Sequence, residues 1–163
     1  MTFDAEMTAA AAALLASYRQ AGMRIATAES CTGGLVAGCL TAIPGSSDIV
    51  ERGFITYSNE AKYEVLGVPP ETLREHGAVS SHTAKAMAAG ALTHSRADVA
   101  VAVTGIAGPG GGSAAKPVGL VYIAAQRRDH AVEIERHMFT GDRNAIRMES
   151  VAAALDLLQR QLP

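Results

Sequence analysis

The chain has 163 residues, 48% of them hydrophobic, which suits one compact domain with a substantial buried core. Aromatic residues make up only 4% and tryptophan is absent, so we expect aliphatic side chains packed between helices and a sheet. The formal charge of -2, without long charged runs, argues against nucleic acid or an anionic membrane as a partner. These features predict a single α/β domain over residues 1–163 that binds a small molecule.

The cysteines and histidines give no pattern for a disulfide or a zinc site. Cys31 and Cys39 lie eight positions apart, which fits neither a disulfide framework nor a Cys-x-x-Cys motif, and the 5 histidines contain no His-x-x-x-His pair. No secretory leader is visible, and no apolar stretch approaches the roughly 20 residues needed to cross a bilayer. We therefore expect a soluble cytoplasmic protein with no tightly bound metal.

The first part of the chain predicts helices that alternate with strands. Apolar residues at helical spacing predict an opening helix that Gly22 ends, followed by a strand over residues 23–29. A second helix is expected to start just after Ser30 and to end before Pro44. The run over residues 49–57 then predicts a second strand, so a strand-turn-helix-strand arrangement follows the opening helix.

The remaining elements complete a sheet covered by helices. Ser58 can cap a short helix, Pro69 and Pro70 begin another helical turn, and Ser80 can cap a longer Ala-rich helix. Residues 98–104 form an apolar run typical of a strand buried on both faces, near the middle of the sheet.

The last third of the chain combines a glycine-rich loop, two strands and a helix. The loop covers residues 105–117 and precedes a buried strand over residues 118–125. Alternating polarity over residues 132–138 predicts an antiparallel strand at or near a sheet edge. Asp142 then opens a final helix whose apolar stripe should pack back onto the sheet.

Ser30 lies where the first strand turns into a helix, in the run Thr27 to Gly34. Backbone N–H groups at such a turn, with the positive end of the helix behind them, can present a nucleophile and stabilise an oxyanion. The alternative is structural: Ser30 caps the helix, and Gly33 allows close packing.

Tyr57 and Lys62 follow the second strand in Thr-Tyr-Ser-Asn-Glu-Ala-Lys. A lysine can take a proton from serine only when neutral, and burial, nearby cations and the positive end of its helix all lower its pKa. Tyr57 could orient or relay that proton. Alternatively, both polar tips lie in water, as these residue types usually do.

The glycine loop after Thr104 offers free N–H groups that suit a phosphate or a carboxamide oxygen, or it is a mobile connection without a ligand. It matches neither a phosphate-binding Gly-Lys-Ser/Thr loop nor a dinucleotide fingerprint. Arg143 lies in the first turn of the last helix, where a cation is normally disfavoured. Its position there indicates that it binds an anion or is a cation that keeps Lys62 neutral. Its alternative is a surface ion pair with Asp142 or Glu149, and Arg147 has the same ambiguity.

Cys31 and Ser47 are further candidates. A thiol at a helix N-terminus has a lowered pKa, so Cys31 competes with Ser30 as nucleophile, although a small buried side chain is the commoner role. Ser47 is most simply a turn residue whose hydroxyl could reach a site on the neighbouring helix.

Taken together, four segments in this order resemble the C-terminal domain of the CinA family, whose standalone members include nicotinamide mononucleotide deamidases. The segments are Thr27 to Gly34, Gly53 to Lys62, Val103 to Gly111 and Phe139 to Arg143, and the resemblance extends over nearly the whole chain. It implies a three-layer α/β/α sandwich with a mixed, mostly parallel sheet. The larger N-terminal domain of full-length family members is not expected in this sequence.

The resemblance also implies an activity in pyridine nucleotide salvage. Nicotinamide mononucleotide would be hydrolysed to nicotinic acid mononucleotide and ammonia, with no metal or organic cofactor. Matched by motif, Ser30 is the nucleophile, and Tyr57 and Lys62 are its catalytic partners. The expected substrate-binding positions are Thr32, Gly33, Ser47, Thr104, Gly105, Gly108 and Arg143.

Two other functions remain open at this stage. One is an amidase that depends on Cys31, and the other is a non-catalytic nucleotide-binding or interaction domain of the same family. Free nicotinamide, the riboside and the mononucleotide share the scissile amide, and only a phosphate contact by Arg143 would separate them. A homodimer or higher homo-oligomer is expected, since symmetric association is common and an edge strand could supply the interface.

Overall fold

A computed structural model describes residues 3–163 as a five-stranded sheet with helices on both faces. The helices are α1 (Ala5–Ala21), α2 (Leu35–Thr41), α3 (Asn59–Leu66), α4 (Pro70–His76), α5 (Ser81–Thr93) and α6 (Arg143–Arg160), and a short 3-10 helix spans Ser46–Asp48. The strands are β1 (Ile25–Glu29), β2 (Val50–Ile55), β3 (Val99–Gly105), β4 (Leu120–Arg127) and β5 (Glu133–Met138). Within residues 3–163, none of the helices combines the length and apolar character needed to span a membrane.

The sheet is mixed, as expected, and its order is β2-β1-β3-β4-β5. β1 pairs in parallel with both β2 and β3, whereas β4 is antiparallel to β3 and to β5. Only β4 therefore runs against the other described strands. The predictions that the third strand lies mid-sheet and that the last is an antiparallel edge strand are confirmed.

The alternating residues of β3 show how the three layers pack. Val99, Val101 and Val103 point into one buried cluster with α1, α2 and α6. Ala100 and Ala102 point into a second cluster on the other face, formed largely with α5. Since successive side chains of a strand face opposite ways, one strand supplies both cores. The three-layer α/β/α sandwich is confirmed.

Side-chain caps fix most helix starts where the sequence predicts them. Ser58, Ser80 and Asp142 accept hydrogen bonds from N–H groups in the first turns of α3, α5 and α6, and Gly22 ends α1 in the left-handed region.

The prediction that α2 begins just after Ser30 is wrong. Ser30 does not cap α2, because residues 30–34 form a separate turn and the helix starts at Leu35. Gly33 and Gly34 have φ of 58° and 99°, which lets the backbone make this turn at little steric cost. Ser30 is thus presented by an irregular turn at the end of β1.

Candidate functional site

The candidate site is an open cleft of about 260 Å³ at the carboxyl ends of the parallel strands. Ser30 follows β1, Tyr57 follows β2, and Thr104 lies at the end of β3, so parallel pairing brings the three segments to one edge of the sheet. The cleft is lined by Ser30, Cys31, Tyr57, Lys62, Ala78, Val79, Thr104, Gly105, Ile106, Ala107, Gly108, Gly110, Gly111 and Arg143.

Ser30 and Lys62 lie within hydrogen-bond distance of each other. Lys62 Nζ is 3.0 Å from Ser30 Oγ and donates to the Thr56 carbonyl at 2.8 Å. The Ser30 N–H donates to the Val103 carbonyl at 2.9 Å, which ties the serine to β3. Lys62 is only 1% exposed, so its amine meets Ser30 largely away from solvent.

Burial lowers the pKa of the Lys62 amine to about 8, since removal from water disfavours the charged form. The nearby Cys31 acts weakly in the opposite direction. Of the three expected causes, burial is confirmed, whereas neither Arg143 nor the positive end of α3 is among the causes of the lowered pKa. A substantial fraction of Lys62 is neutral at mildly alkaline pH and can accept a proton from Ser30.

Glu29 occupies the N-terminal end of α2. Its carboxylate accepts from the Val36 N–H at 2.8 Å and the Ala37 N–H at 3.0 Å, and its side chain is buried. The expectation that the positive end of this helix supports Ser30 is wrong, because that end faces Glu29. Sequence reasoning missed this role, although an acidic residue at the end of a buried strand was a usable signal.

The Cys31 N–H is the better candidate for oxyanion stabilisation. Cys31 lines the cleft, and among the hydrogen bonds of residues 3–163 its N–H donates to no other residue. The Ser30 carbonyl accepts from the Gly33 N–H at 3.0 Å, which fixes the peptide that carries the Cys31 N–H. The donor thus belongs to the residue directly after the candidate nucleophile.

The Cys31 thiol itself is poorly suited to attack a substrate. Burial raises its pKa to about 12, and the nearby carboxylate of Glu29 acts in the same direction. The lowered pKa expected for a thiol at a helix N-terminus is not found, because the helix begins four residues later. A protonated, buried thiol argues against the hypothesis that Cys31 is the nucleophile.

Arg143 joins two walls of the cleft. Its Nη2 donates to the Tyr57 hydroxyl at 3.0 Å and its Nη1 to the Gly108 carbonyl at 2.8 Å. Tyr57 is 60% exposed, and none of the hydrogen bonds found in the described part of the chain joins it to Ser30 or Lys62. The tyrosine therefore sits at the cleft mouth, held by the arginine.

The glycine loop forms part of the cleft wall. A Cβ at Gly105 would lie 2.6 Å from Val121 Cγ2 and 2.8 Å from the Leu120 carbonyl oxygen, so only glycine fits there. The Thr104 hydroxyl donates to the Ala78 carbonyl at 2.7 Å and thereby fixes the segment that forms another wall. Lys116 Nζ donates to the His76 carbonyl at 2.6 Å, which tethers the far end of the loop.

Three expected substrate-binding residues do not line this cleft. Thr32 is fully buried, and Gly33 lies against the Arg147 side chain, 3.4 Å from an ideal Cβ position. Ser47 is exposed in the 3-10 helix before β2, at the opposite end of the sheet from Ser30. Their assignment as substrate-binding residues therefore stays a prediction from the family resemblance. The cleft instead includes Ala78 and Val79, which lacked any chemical signal in the sequence.

Comparison with protein families identifies one match over almost the whole chain. A family model described as the CinA C-terminal domain matches residues 7–162. In solved structures, the fold resembles the competence/damage inducible protein CihA from Agrobacterium tumefaciens, with a TM-score of 0.96 and 49% sequence identity. That alignment covers 99% of this chain and 98% of the other.

Curated relatives fall into two length classes. The nicotinamide-nucleotide amidohydrolase PncC of Escherichia coli K12 is 53% identical over 141 residues, which is 86% of this chain and 85% of PncC. A CinA-like protein of Syntrophobacter fumaroxidans is 55% identical over 144 residues, or 88% of this chain but 34% of that protein. The chain thus spans about a third of the length of the longer relatives.

Proposed function

The chain belongs to the CinA C-terminal domain family, and on that premise we propose that it hydrolyses nicotinamide mononucleotide to nicotinic acid mononucleotide and ammonia. The name and full-length similarity of PncC support the substrate. The main structural support for this reaction is that Lys62 Nζ lies 3.0 Å from Ser30 Oγ in a buried setting. A serine beside a buried amine of lowered pKa suits nucleophilic attack on a carboxamide.

The reaction starts with a proton transfer from Ser30 to Lys62. Ser30 Oγ bonds to the carboxamide carbon as neutral Lys62 Nζ takes the hydroxyl proton, and the carbonyl oxygen becomes an oxyanion. The Cys31 N–H is placed to donate to this oxyanion, supported by N–H groups of the glycine loop. No further charged group is needed at the reacting carbon.

The second half of the reaction releases ammonia and then the acid. Breaking the C–N bond requires a proton on the leaving nitrogen, and protonated Lys62 holds one, with Tyr57 assisting its transfer from the cleft mouth. Water then attacks the acyl-Ser30 ester with neutral Lys62 as base, which frees the carboxylic acid and restores the serine. The position of Tyr57 in the same cleft supports its role.

Arg143 is assigned to the substrate phosphate. Its guanidinium carries five N–H donors, of which two contact Tyr57 and Gly108, and the residue is exposed beside the glycine loop. An anion at this position would be held by the remaining donors and by loop amides. This contact would favour the mononucleotide over the riboside and the free amide.

Ammonia release from the mononucleotide, the riboside and free nicotinamide tests this assignment. We expect the mononucleotide to give the highest kcat/KM, and Arg143→Gln to reduce that preference by lowering kcat/KM for the mononucleotide alone. Equal rates for all three amides would contradict the phosphate contact. Binding of the mononucleotide with no ammonia release would instead support a non-catalytic domain.

A further inference from the structure

Arg147 holds the backbone of the turn that carries Ser30. From the second turn of α6, its Nε donates to the Cys31 carbonyl and its Nη2 to the Thr32 carbonyl, both at 3.1 Å. The residue is half-buried and lies one helical turn after Arg143. Two adjacent carbonyls are therefore held by one planar group, a geometry that a guanidinium can make and a lysine cannot.

The Arg147 contact does not resemble that of an ordinary surface arginine. Arg52 and Arg160 pair with the carboxylates of Glu51 and Glu135, whereas Arg147 forms no ion pair within residues 3–163. The alternatives of pairing with Asp142 or Glu149 are therefore not realised. Its N–H groups instead donate to backbone carbonyls of the turn that carries Ser30.

Apart from Arg147, a few backbone hydrogen bonds hold the turn that carries Ser30. Residues 30–34 lie outside α2, so no helical hydrogen-bond ladder fixes their peptide planes. The Gly33 N–H fixes the Ser30 carbonyl, Arg147 fixes the next two carbonyls, and the Leu35 N–H also contacts the Thr32 carbonyl at 3.1 Å. Because a peptide group is planar, the Thr32 carbonyl that Arg147 holds shares its plane with the Gly33 N–H. That N–H donates to the Ser30 carbonyl, whose own peptide carries the Cys31 N–H, so Arg147 acts on the Cys31 N–H through one intervening hydrogen bond.

We propose that Arg147 is a positioning residue that sets the orientation of the Ser30 turn, and with it the Cys31 N–H that receives the oxyanion. The inference rests on the proposed function, since it assigns Arg147 to the same cleft. Arg143 contacts the opposite wall from the same face of α6. One helix thus sets both the nucleophile turn and the tyrosine-glycine side of the cleft.

The test compares Arg147→Met and Arg147→Lys with Arg128→Met as a matched control. Arg128 also donates to backbone carbonyls, those of Leu92 and Ala97, but it lies at the other end of the sheet. Two rates are measured: ammonia release from the mononucleotide, and labelling of Ser30 by a fluorophosphonate, detected by intact mass. In the labelling reaction the Ser30 oxygen bonds to phosphorus, fluoride leaves, and the hydroxyl proton passes to Lys62.

We expect Arg147→Met to lower kcat and the labelling rate by about 10- to 100-fold, with KM nearly unchanged, because a misplaced oxyanion donor costs transition-state stabilisation. Arg147→Lys should recover part of the loss, and Arg128→Met should lower thermal stability without lowering either rate. Wild-type labelling and kcat in Arg147→Met would overturn the inference. If the wild type is labelled but releases no ammonia, the substrate assignment fails and the labelling rates still decide the role of Arg147.

Discussion

At the scale of single residues, the site depends on a lysine amine that the fold keeps out of water. Lys62 is almost fully buried, and its amine contacts one hydroxyl and one carbonyl, with no carboxylate partner within residues 3–163. Burial makes the neutral amine accessible near physiological pH. The burial that would suit Lys62 as the proposed base also opposes folding whenever the amine is charged.

The pH dependence of kcat/KM should report this amine. The proposed reaction requires neutral Lys62, so kcat/KM should rise with pH and level off above an apparent pKa near 8, well below the ordinary lysine value of 10.5. The measurement is kcat/KM for the mononucleotide from pH 6 to 10. A flat profile through pH 8 in an enzyme that remains folded would show that the base is another group.

Removing the Lys62 amine should raise the free energy of unfolding even though it should also abolish activity. The pKa of Lys62 is lower in the folded than in the unfolded chain, so the unfolded chain binds the proton more tightly and the wild type is destabilised below pH 8. Lys62→Met should raise the free energy of unfolding at pH 6 by on the order of 1–3 kcal/mol while abolishing activity.

This gain should shrink as pH rises from about 8 to 10.5, where the wild-type lysine is neutral in both states. Urea unfolding at pH 6, 8 and 10 measures it, with Lys85→Met, on the neighbouring helix α5 at an exposed position, as control. A stability difference that does not change with pH would contradict the account of the Lys62 amine.

At the scale of secondary-structure elements, the short helix α2 depends on Glu29. Two N–H groups of its first turn donate to this buried carboxylate, and the glycines before it provide no side-chain cap. The helix therefore begins where the carboxylate of the preceding strand can reach it. This link also fixes the far end of the Ser30 turn.

Replacing Glu29 should therefore destabilise the protein. Glu29→Ala leaves the buried Val36 N–H and the partly buried Ala37 N–H without acceptors, which should cost about 2–4 kcal/mol, and Glu29→Gln should cost less because one amide oxygen remains. Chemical unfolding measures both, with exposed Glu64→Ala on α3 as control. An unfolding free energy within error of wild type for Glu29→Ala would show that the cap is dispensable.

The join between β3 and the glycine loop makes a second element-scale prediction. Gly105→Ala should lower both thermal stability and kcat/KM, because the added methyl meets Val121 and the Leu120 carbonyl at the strand end that shapes the cleft. Gly110→Ala is the control, since no atom lies within 4 Å of its Cβ position. Thermal melts and kinetics that rank the two variants in the reverse order would contradict this packing.

At the scale of the whole molecule, the layers and most elements follow from local patterns. Helical periodicity, serine and aspartate caps, and the apolar run at β3 predict the elements, and parallel pairing then brings Ser30, Tyr57 and Thr104 to one edge of the sheet. Contacts between residues far apart in the sequence could not be predicted from these local patterns. Glu29 with α2 and Arg147 with the Ser30 turn join residues whose sequence spacing follows no local period.

The expected site residues outside the cleft are explained by the same limit of local patterns. Ser47 belongs to the segment before β2, and strand direction places it at the far end of the sheet. Thr32 lies two residues after the candidate nucleophile, yet its side chain packs inside the protein. Local motifs therefore predict where the Ser30 turn lies in the sequence. Which of its side chains reach the cleft depends on how the turn packs against the sheet.

Trapping the covalent intermediate tests the central claim most directly. Wild-type protein is quenched with acid during turnover of nicotinamide mononucleotide, and the added mass is mapped by peptide sequencing, with Ser30→Ala as control. We predict a nicotinate mononucleotide ester on Ser30, no adduct in Ser30→Ala, and loss of ammonia release in that variant. An adduct on Cys31, or near-normal turnover by folded Ser30→Ala, would contradict the account.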